Sequence, residues 1–332
     1  MSSSLFEPER KGLAAVRMGE RGGNGRYKVP LLPGEGGTKS GGDWVPGGVQ
    51  SVTNMLDGFE ESRGLNIWEQ EQALIGMACQ PSLYGELSLA VARWKSEGVD
   101  FAKLGDFPHV RKVLTGGADR EAAELSIIGR AKQAAGANEA RQAGTNLHTA
   151  WEHRAKTGEL IGTPEMQEGV LLMEKLLRDA GLERVPGLSE RTVRNLGVRT
   201  AGRFDDILLS QRTGRLLMAD LKTKKKAFRS WMAVDGQLAT YARSEWMLTP
   251  DGQGYEPGPV DYVDLHEGVV LQLPSDGAAP YLRRADLSEG WEVAKLARQV
   301  IDRRAYGMSA ARRAMNPWSE ASEEIPEGQL TS

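Results

Sequence analysis

Residues 202–226, GRFDDILLSQRTGRLLMADLKTKKK, constrain the fold more tightly than any other stretch of the chain. Two runs of aliphatic and branched side chains are joined by Gln-Arg-Thr-Gly, a polar turn that places glycine where a positive φ is needed. The segment therefore reads as a β-hairpin. Side chains alternate along a strand, so Leu216, Met218, Asp220 and Lys222 share one face while Leu217, Ala219 and Leu221 share the other. Both faces are apolar apart from the charged groups, and such a strand is buried on both sides.

The register of this hairpin has a chemical consequence. If Ser210 and Arg215 close the turn, pairing carries Asp205 to a position opposite Asp220. Directly opposed β-carbons lie roughly 4.5–5.5 Å apart, and like charges there destabilise a sheet. Two facing carboxylates in apolar surroundings, with the Lys222 ammonium two residues on, are costly unless a cation sits between them. A hard divalent ion is the simplest occupant. Magnesium is commonly held by one or two carboxylates and a substrate phosphate, which makes a phosphodiester the expected remaining ligand. Lys222 would then either orient and deprotonate the attacking water or stay charged and stabilise the developing phosphorane. A lone D-x-K ordinarily marks a surface ion pair on an edge strand; the facing Asp205 is what separates this chain from that case.

The rest of the chain supplies layers for the hairpin. Residues 1–47 are Gly-rich and lack apolar periodicity, so they read as an extended arm. GEGGTKSGG is not a phosphate-binding P-loop, because Thr38 separates Gly37 from Lys39. From Val49 to about residue 135, VQSVTNML, LNIWEQEQALIGMA and SLYGELSLAVARWKSEG carry helical periodicity. A further helix is expected over about 138–156, and another after Thr163-Pro164 that ends at Gly181. Strands are expected at 190–199, 202–210, 215–223 and 268–273, then a helix at 288–306 and a polar tail over 311–332. Helices flanking a short mixed sheet point to an α/β domain over 48–310 with its catalytic core in about 136–310.

Bulk properties narrow the setting. The 332 residues are 40% hydrophobic and 26% charged, which excludes wholesale disorder. A single cysteine, Cys79, cannot assemble a disulfide framework, a cysteine zinc site or an iron–sulfur cluster within one chain. With no apolar leader and no run of 18 uncharged apolar residues, a soluble, cytoplasmic protein with no membrane partner is expected. The net charge of −3 does not suit a whole-surface nucleic-acid binder. One basic face suffices for an enzyme, however, and residues 222–229 (KTKKKAFR) hold five cations in eight positions. Standing alone, such a run is usually a solvated loop.

Taken in order, these residues resemble the RecB-type branch of the PD-(D/E)xK nucleases, to which phage-encoded exonucleases are similar. Gly202 and Asp205 in GRFD match the first acidic motif, Asp220 and Lys222 in ADLKT the second, and Gln237 and Tyr241 in GQLATYA the Gln-x-x-x-Tyr motif. Upstream, Gly144 and His148 in GTNLH match G-x-x-x-H, and Ser51 and Thr53 match an opening S-x-T. The resemblance spans about residues 48–250. It implies a restriction-endonuclease-like core and one or two Mg2+ or Mn2+ ions bound by Asp205, Asp220, the Leu221 carbonyl and His148. It also implies DNA contacts or support from Gln237, Tyr241 and Glu190.

Local spacing agrees with parts of this. Gly144, His148 and Glu152 line one helix face, with Glu152 one turn beyond His148 in a supporting position, whereas His153 lies off that stripe. Lys224, Lys225 and Arg229 are candidate DNA contacts. Some relatives carry four cysteines around an iron–sulfur cluster, which this chain cannot, and it has no helicase motifs.

The expected activity is metal-dependent DNA hydrolysis, with exonuclease action on ends implied by the resemblance and a role in phage recombination, repair or replication. That places it in the host cytoplasm, with a separate helicase or recombination protein, or further copies of itself, as partners. A structure-specific endonuclease, a non-catalytic DNA-binding module on a nuclease fold, and a phosphatase acting on small phosphate esters are the alternatives.

Overall fold

The computed structural model describes residues 26–32, 44–45, 47–57, 62–117, 120–223 and 231–314. The chain opens with two short strands, β1 (Arg26–Tyr27) and β2 (Val49–Ser51), which pair antiparallel. Among the described residues six α-helices follow, with a 3-10 helix at Phe101–Asp106 between the third and fourth: α1 (Val52–Leu56), α2 (Ser62–Cys79), α3 (Pro81–Ser96), α4 (Pro108–Thr115), α5 (Arg120–Leu125) and α6 (Ile127–Ala134). The long α7 (Ala137–Thr157) and α8 (Pro164–Asp179) lead into five strands: β3 (Leu182–Arg184), β4 (Arg191–Asn195), β5 (Thr200–Phe204), β6 (Asp206–Ser210) and β7 (Leu216–Lys222). Beyond them lie α9 (Met232–Ala242), β8 (Trp246–Leu248), β9 (Tyr255–Pro257), β10 (Val263–Gln272), β11 (Tyr281–Asp286) and α10 (Leu287–Ala314).

The fold is mixed α/β with two mixed sheets rather than one. A five-stranded sheet has the order β11-β10-β7-β6-β3, in which only β10 and β7 run parallel. A six-stranded sheet has the order β1-β2-β5-β4-β8-β9, in which only β2 and β5 are parallel. The expected strand over 202–210 is split between them. It breaks at Asp205, because β5 is drawn away to pair with β4 while β6 stays with β7.

The hairpin keeps the expected register. Asp206 pairs with Ala219 and Leu209 with Leu216, the Ser210 amide bonds the Arg215 carbonyl at 2.9 Å, and Gly214 has φ 68°. The ladder stops one residue short of Asp205, which sits in the break.

Burial on both faces of β7 follows from its two apolar stripes. Leu217, Ala219 and Leu221 pack with Leu147, Trp151, Val170 and Met173 of α7 and α8. On the opposite face Met218 joins Phe204, Ile207, Leu238 and Ala294, bringing in α9 and α10. The five-stranded sheet is therefore the middle layer of three. Thr163 caps α8 by accepting from the Met166 amide at 3.4 Å, Pro164 opens it, and Gly181 follows its end with φ 69°.

Four further expectations need correction. Residues 26–32 are not a detached arm, since Val29 is fully buried with Val49, Ala201 and Leu248 against the second sheet. Val49–Ser51, read as helical, is a strand, and Ser51 caps the helix that follows it through the Asn54 amide at 3.2 Å. The strand expected over 190–199 ends at Asn195, where the chain turns. The last helix extends to Ala314, so the tail cannot begin at 311, and residues 315–332 lie outside the described ones. Among the described residues no helix is long and apolar enough to cross a membrane.

Candidate active site

The site gathers where the strand break at Asp205 meets the C-terminal end of β7. Asp205 has left the ladder, and its Oδ2 accepts a hydrogen bond from the Leu221 amide at 2.5 Å. Asp220 is buried at 2% exposure, one residue before Leu221 on the strand. Its Oδ2 lies 2.6 Å from the Lys222 ammonium, and its Oδ1 accepts from Gln237 Nε2 at 3.1 Å. Lys222 also donates to Gln237 Oε1 at 3.1 Å, so Gln237 on α9 bridges the acid and the lysine. Gln237 Nε2 in addition donates to the Tyr241 hydroxyl at 3.0 Å, one turn along α9.

Two glycines permit this convergence. A β-carbon on Gly202 would lie 2.3 Å from Tyr241 Cε1, so the ring can approach β5 only over glycine. A β-carbon on Gly144 would lie 2.8 Å from Thr223 Oγ1, which allows α7 to rest on the end of β7.

That approach delivers His148. Burial lowers its pKa, with Asp220 opposing, Lys222 and Arg203 assisting, and a hydrogen bond to the Leu221 backbone favouring the charged form. The imidazole thus shares its surroundings with both motif acids' neighbours. Asp205 is pushed well above the usual carboxylate range, first by burial of the carboxylate, then by Asp220 and Glu190. Glu190, in a left-handed conformation at φ 55°, pairs with Arg203 at 2.8 Å, and its amide donates to the Asp205 carbonyl at 3.0 Å. Burial raises its carboxyl to about 7, with Arg203 opposing and Glu152 and Asp206 adding to the rise. Glu152 itself pairs with Lys156.

The structure therefore brings together Asp205, Asp220, Leu221, Lys222, His148, Gln237 and Tyr241, with Glu190 and Glu152 at the rim. Lys224, Lys225 and Arg229 lie outside the described residues. Among the described residues no three of His, Cys, Asp and Glu converge as a ready-made ligand cage. The Asp220 carboxylate is turned toward Lys222 and Gln237, and Asp205 toward the Leu221 amide. A divalent ion nevertheless fits the donors. Asp220 Oδ2 is buried with the Lys222 ammonium as its neighbour, Asp205 has the Asp220 and Glu190 carboxylates close by, and both offer hard oxygens. Two carboxylates suit an ion that keeps several waters and takes a substrate phosphate.

Sequence reasoning missed Arg203, which faces Glu190 and His148, and a buried set behind the site comprising Asp206, Trp151, Arg184 and Ser189. The signal was the Asp205-Asp206 pair itself. Consecutive strand residues point to opposite faces, so one acid had to be buried on the far side and needed donors there. No protein-family model matches the chain, and no curated protein matches it at a significant level.

Proposed function

We propose that the chain is a metal-dependent deoxyribonuclease of the PD-(D/E)xK class with a restriction-endonuclease-like core, hydrolysing phosphodiester bonds and acting on DNA ends. The observation that carries this reading is the joint arrangement of Asp205, Asp220 and Lys222 at the end of β7, cross-linked by Gln237. Asp205 is placed by the strand break, Asp220 and Lys222 by alternation along β7, and Gln237 by α9, whereas a surface D-x-K pair would require neither the break nor the glutamine. Preference for ends rests on the resemblance to phage exonucleases, as does cooperation with a separate helicase or recombination protein.

Asp205, Asp220, the Leu221 carbonyl and His148 would hold one or two Mg2+ or Mn2+ ions. Bound there, a divalent ion neutralises charge on the phosphodiester and makes water a competent nucleophile near neutral pH. The chain's own residues do the rest. Lys222 is held as a donor between Asp220 and Gln237, which suits stabilising negative charge on the nonbridging oxygens as water attacks in line. Gln237 orients both Lys222 and Asp220 with one amide, and Tyr241 fixes that amide from below. His148, kept neutral by burial, is available as a nitrogen donor rather than as a cation. Arg203, half exposed at the rim, offers a cation to an incoming phosphate.

End-labelled linear DNA and closed circular DNA, incubated with magnesium, manganese or chelator, test the reading. Metal-dependent loss of linear DNA with circles intact supports an exonuclease. Cutting of circles moves the assignment to an endonuclease, and tight binding without cutting moves it to a binding module.

A further inference from the structure

Behind the site, a group of polar side chains is buried where apolar ones would be the ordinary choice. Asp206 follows Asp205 but faces the other side of β6 and is 1% exposed. Its Oδ2 accepts from Trp151 Nε1 at 2.8 Å, its Oδ1 accepts from Ser189 Oγ at 2.5 Å, and Arg184 Nε lies 3.3 Å from Oδ2. The Arg184 guanidinium stacks on the Trp151 indole, 3.4 Å from its centroid. These groups come from α7, β3, the segment before β4, and β6, so four separate pieces of chain meet on one carboxylate.

Replacing buried ion pairs with well-packed apolar residues is often neutral or stabilising, so stability alone is a poor reason for this arrangement; a better-attested role for such groups is fixing register. The geometry gives that role a target. Trp151 sits three residues after His148 on α7, and Leu147, Ala150 and Trp151 all face the apolar layer against the sheet. Apolar contacts tolerate small slides and rotations of a helix, whereas a directional N–H to carboxylate bond selects one. The strand end of that bond is Asp206, the chain neighbour of Asp205.

We infer that Trp151, Asp206 and Arg184 are positioning residues that set where His148 stands relative to Asp205 and Asp220, and so set the affinity of the site for a divalent cation. The inference rests on the nuclease reading for its cation and on the hydrogen bonds above for its geometry. The bond from Trp151 locks α7 against rotation, Arg184 holds the indole from its face, and Ser189 ties in the segment that carries Glu190.

Trp151→Phe removes the N–H and keeps an aromatic surface for Arg184; Asp206→Asn keeps the shape, removes the charge that faces Arg184, and serves if the first variant does not fold. Arg154→Ala is the control, since Arg154 lies one turn beyond Trp151 on α7 but ties it to α8 through Glu174 at 2.8 Å rather than to Asp206. Three measurements are made: Mn2+ affinity by calorimetry without DNA, the imidazole resonances of His148 by NMR, and steady-state kinetics on linear DNA for kcat and KM. The expected result for Trp151→Phe is a loss of about 10–100-fold in Mn2+ affinity and in kcat, as for other groups that orient metal ligands. KM for DNA should stay within about twofold, and the His148 resonances should move. Arg154→Ala should lower the melting temperature and leave Mn2+ affinity, the His148 resonances, kcat and KM unchanged. Wild-type Mn2+ affinity and wild-type His148 resonances in Trp151→Phe would overturn the inference, whatever its melting temperature. If wild-type protein cuts no DNA, the nuclease reading falls separately, and the His148 resonances still decide the positioning claim.

Discussion

Asp205 is tied to β7 by a hydrogen bond from the Leu221 amide to its carboxylate, 2.5 Å long, at the point where one strand leaves for the second sheet. The bond joins the two acidic motifs through the backbone residue between Asp220 and Lys222. Asp205→Asn keeps an acceptor for that amide and removes the charge. Burial and the neighbouring carboxylates already oppose ionisation of Asp205, so stability in chelator should be unchanged or higher. Activity should fall by more than about 100-fold, beyond the range of groups that only orient a ligand. Urea melts and cleavage rates on one preparation check both halves.

Gly202→Ala tests the close approach of Tyr241 to β5. The added β-carbon would meet the ring at 2.3 Å where Tyr241 is buried in the core, so overpacking of about 1–3 kcal/mol is expected. Because Tyr241 supports Gln237, activity should fall along with stability. Tyr241→Phe separates the two effects, since it loses one hydrogen bond worth about 1 kcal/mol and should lower activity by less than about tenfold.

Glu190 gives the fold a pH dependence of defined sign. Its carboxyl is raised from 4.5 unfolded to about 7 folded, so the folded state binds the proton more tightly. This contribution is fully present below the unfolded value and is lost as pH rises through about 7. In chelator, stability attributable to Glu190 should drop by about 3 kcal/mol between acidic and mildly alkaline pH. Glu190→Gln should flatten that slope, as followed by urea unfolding across the range. A slope identical to wild type would contradict the assignment.

Met173, fully buried on α8 in the apolar layer under β7 and β10, supplies a stability control with no polar group in the site. Met173→Ala should destabilise the protein by about 2–5 kcal/mol and leave cleavage per folded molecule unchanged well below its melting temperature.

The hairpin was legible in sequence because its information is local. A period of two, a glycine turn and two apolar faces fix the register, and Asp206 does pair with Ala219. The α7 stripe was legible for the same reason, and it brings Gly144 and His148 to the end of β7. The second sheet was legible only in part: strands were expected where β4 and β5 lie, but the short β1, β2, β8 and β9 are chosen by partners far away in sequence, as when β2 pairs with β5 and β8 with β4. The buried position of residues 26–32 rests on Val29 meeting Ala201 and Leu248, contacts that no periodicity announces. The Asp206 set lay between these extremes. The doubled aspartate was visible, but its donors, Trp151, Ser189 and Arg184, are scattered over three other segments.

The most direct test compares wild type with Asp220→Asn and Lys222→Ala on end-labelled linear DNA, with magnesium or manganese and with chelator. The account predicts degradation by wild type only when metal is present, and none above background by either variant at the same folded concentration. Cleavage that survives chelation, or that survives loss of Asp220 and Lys222, would contradict it.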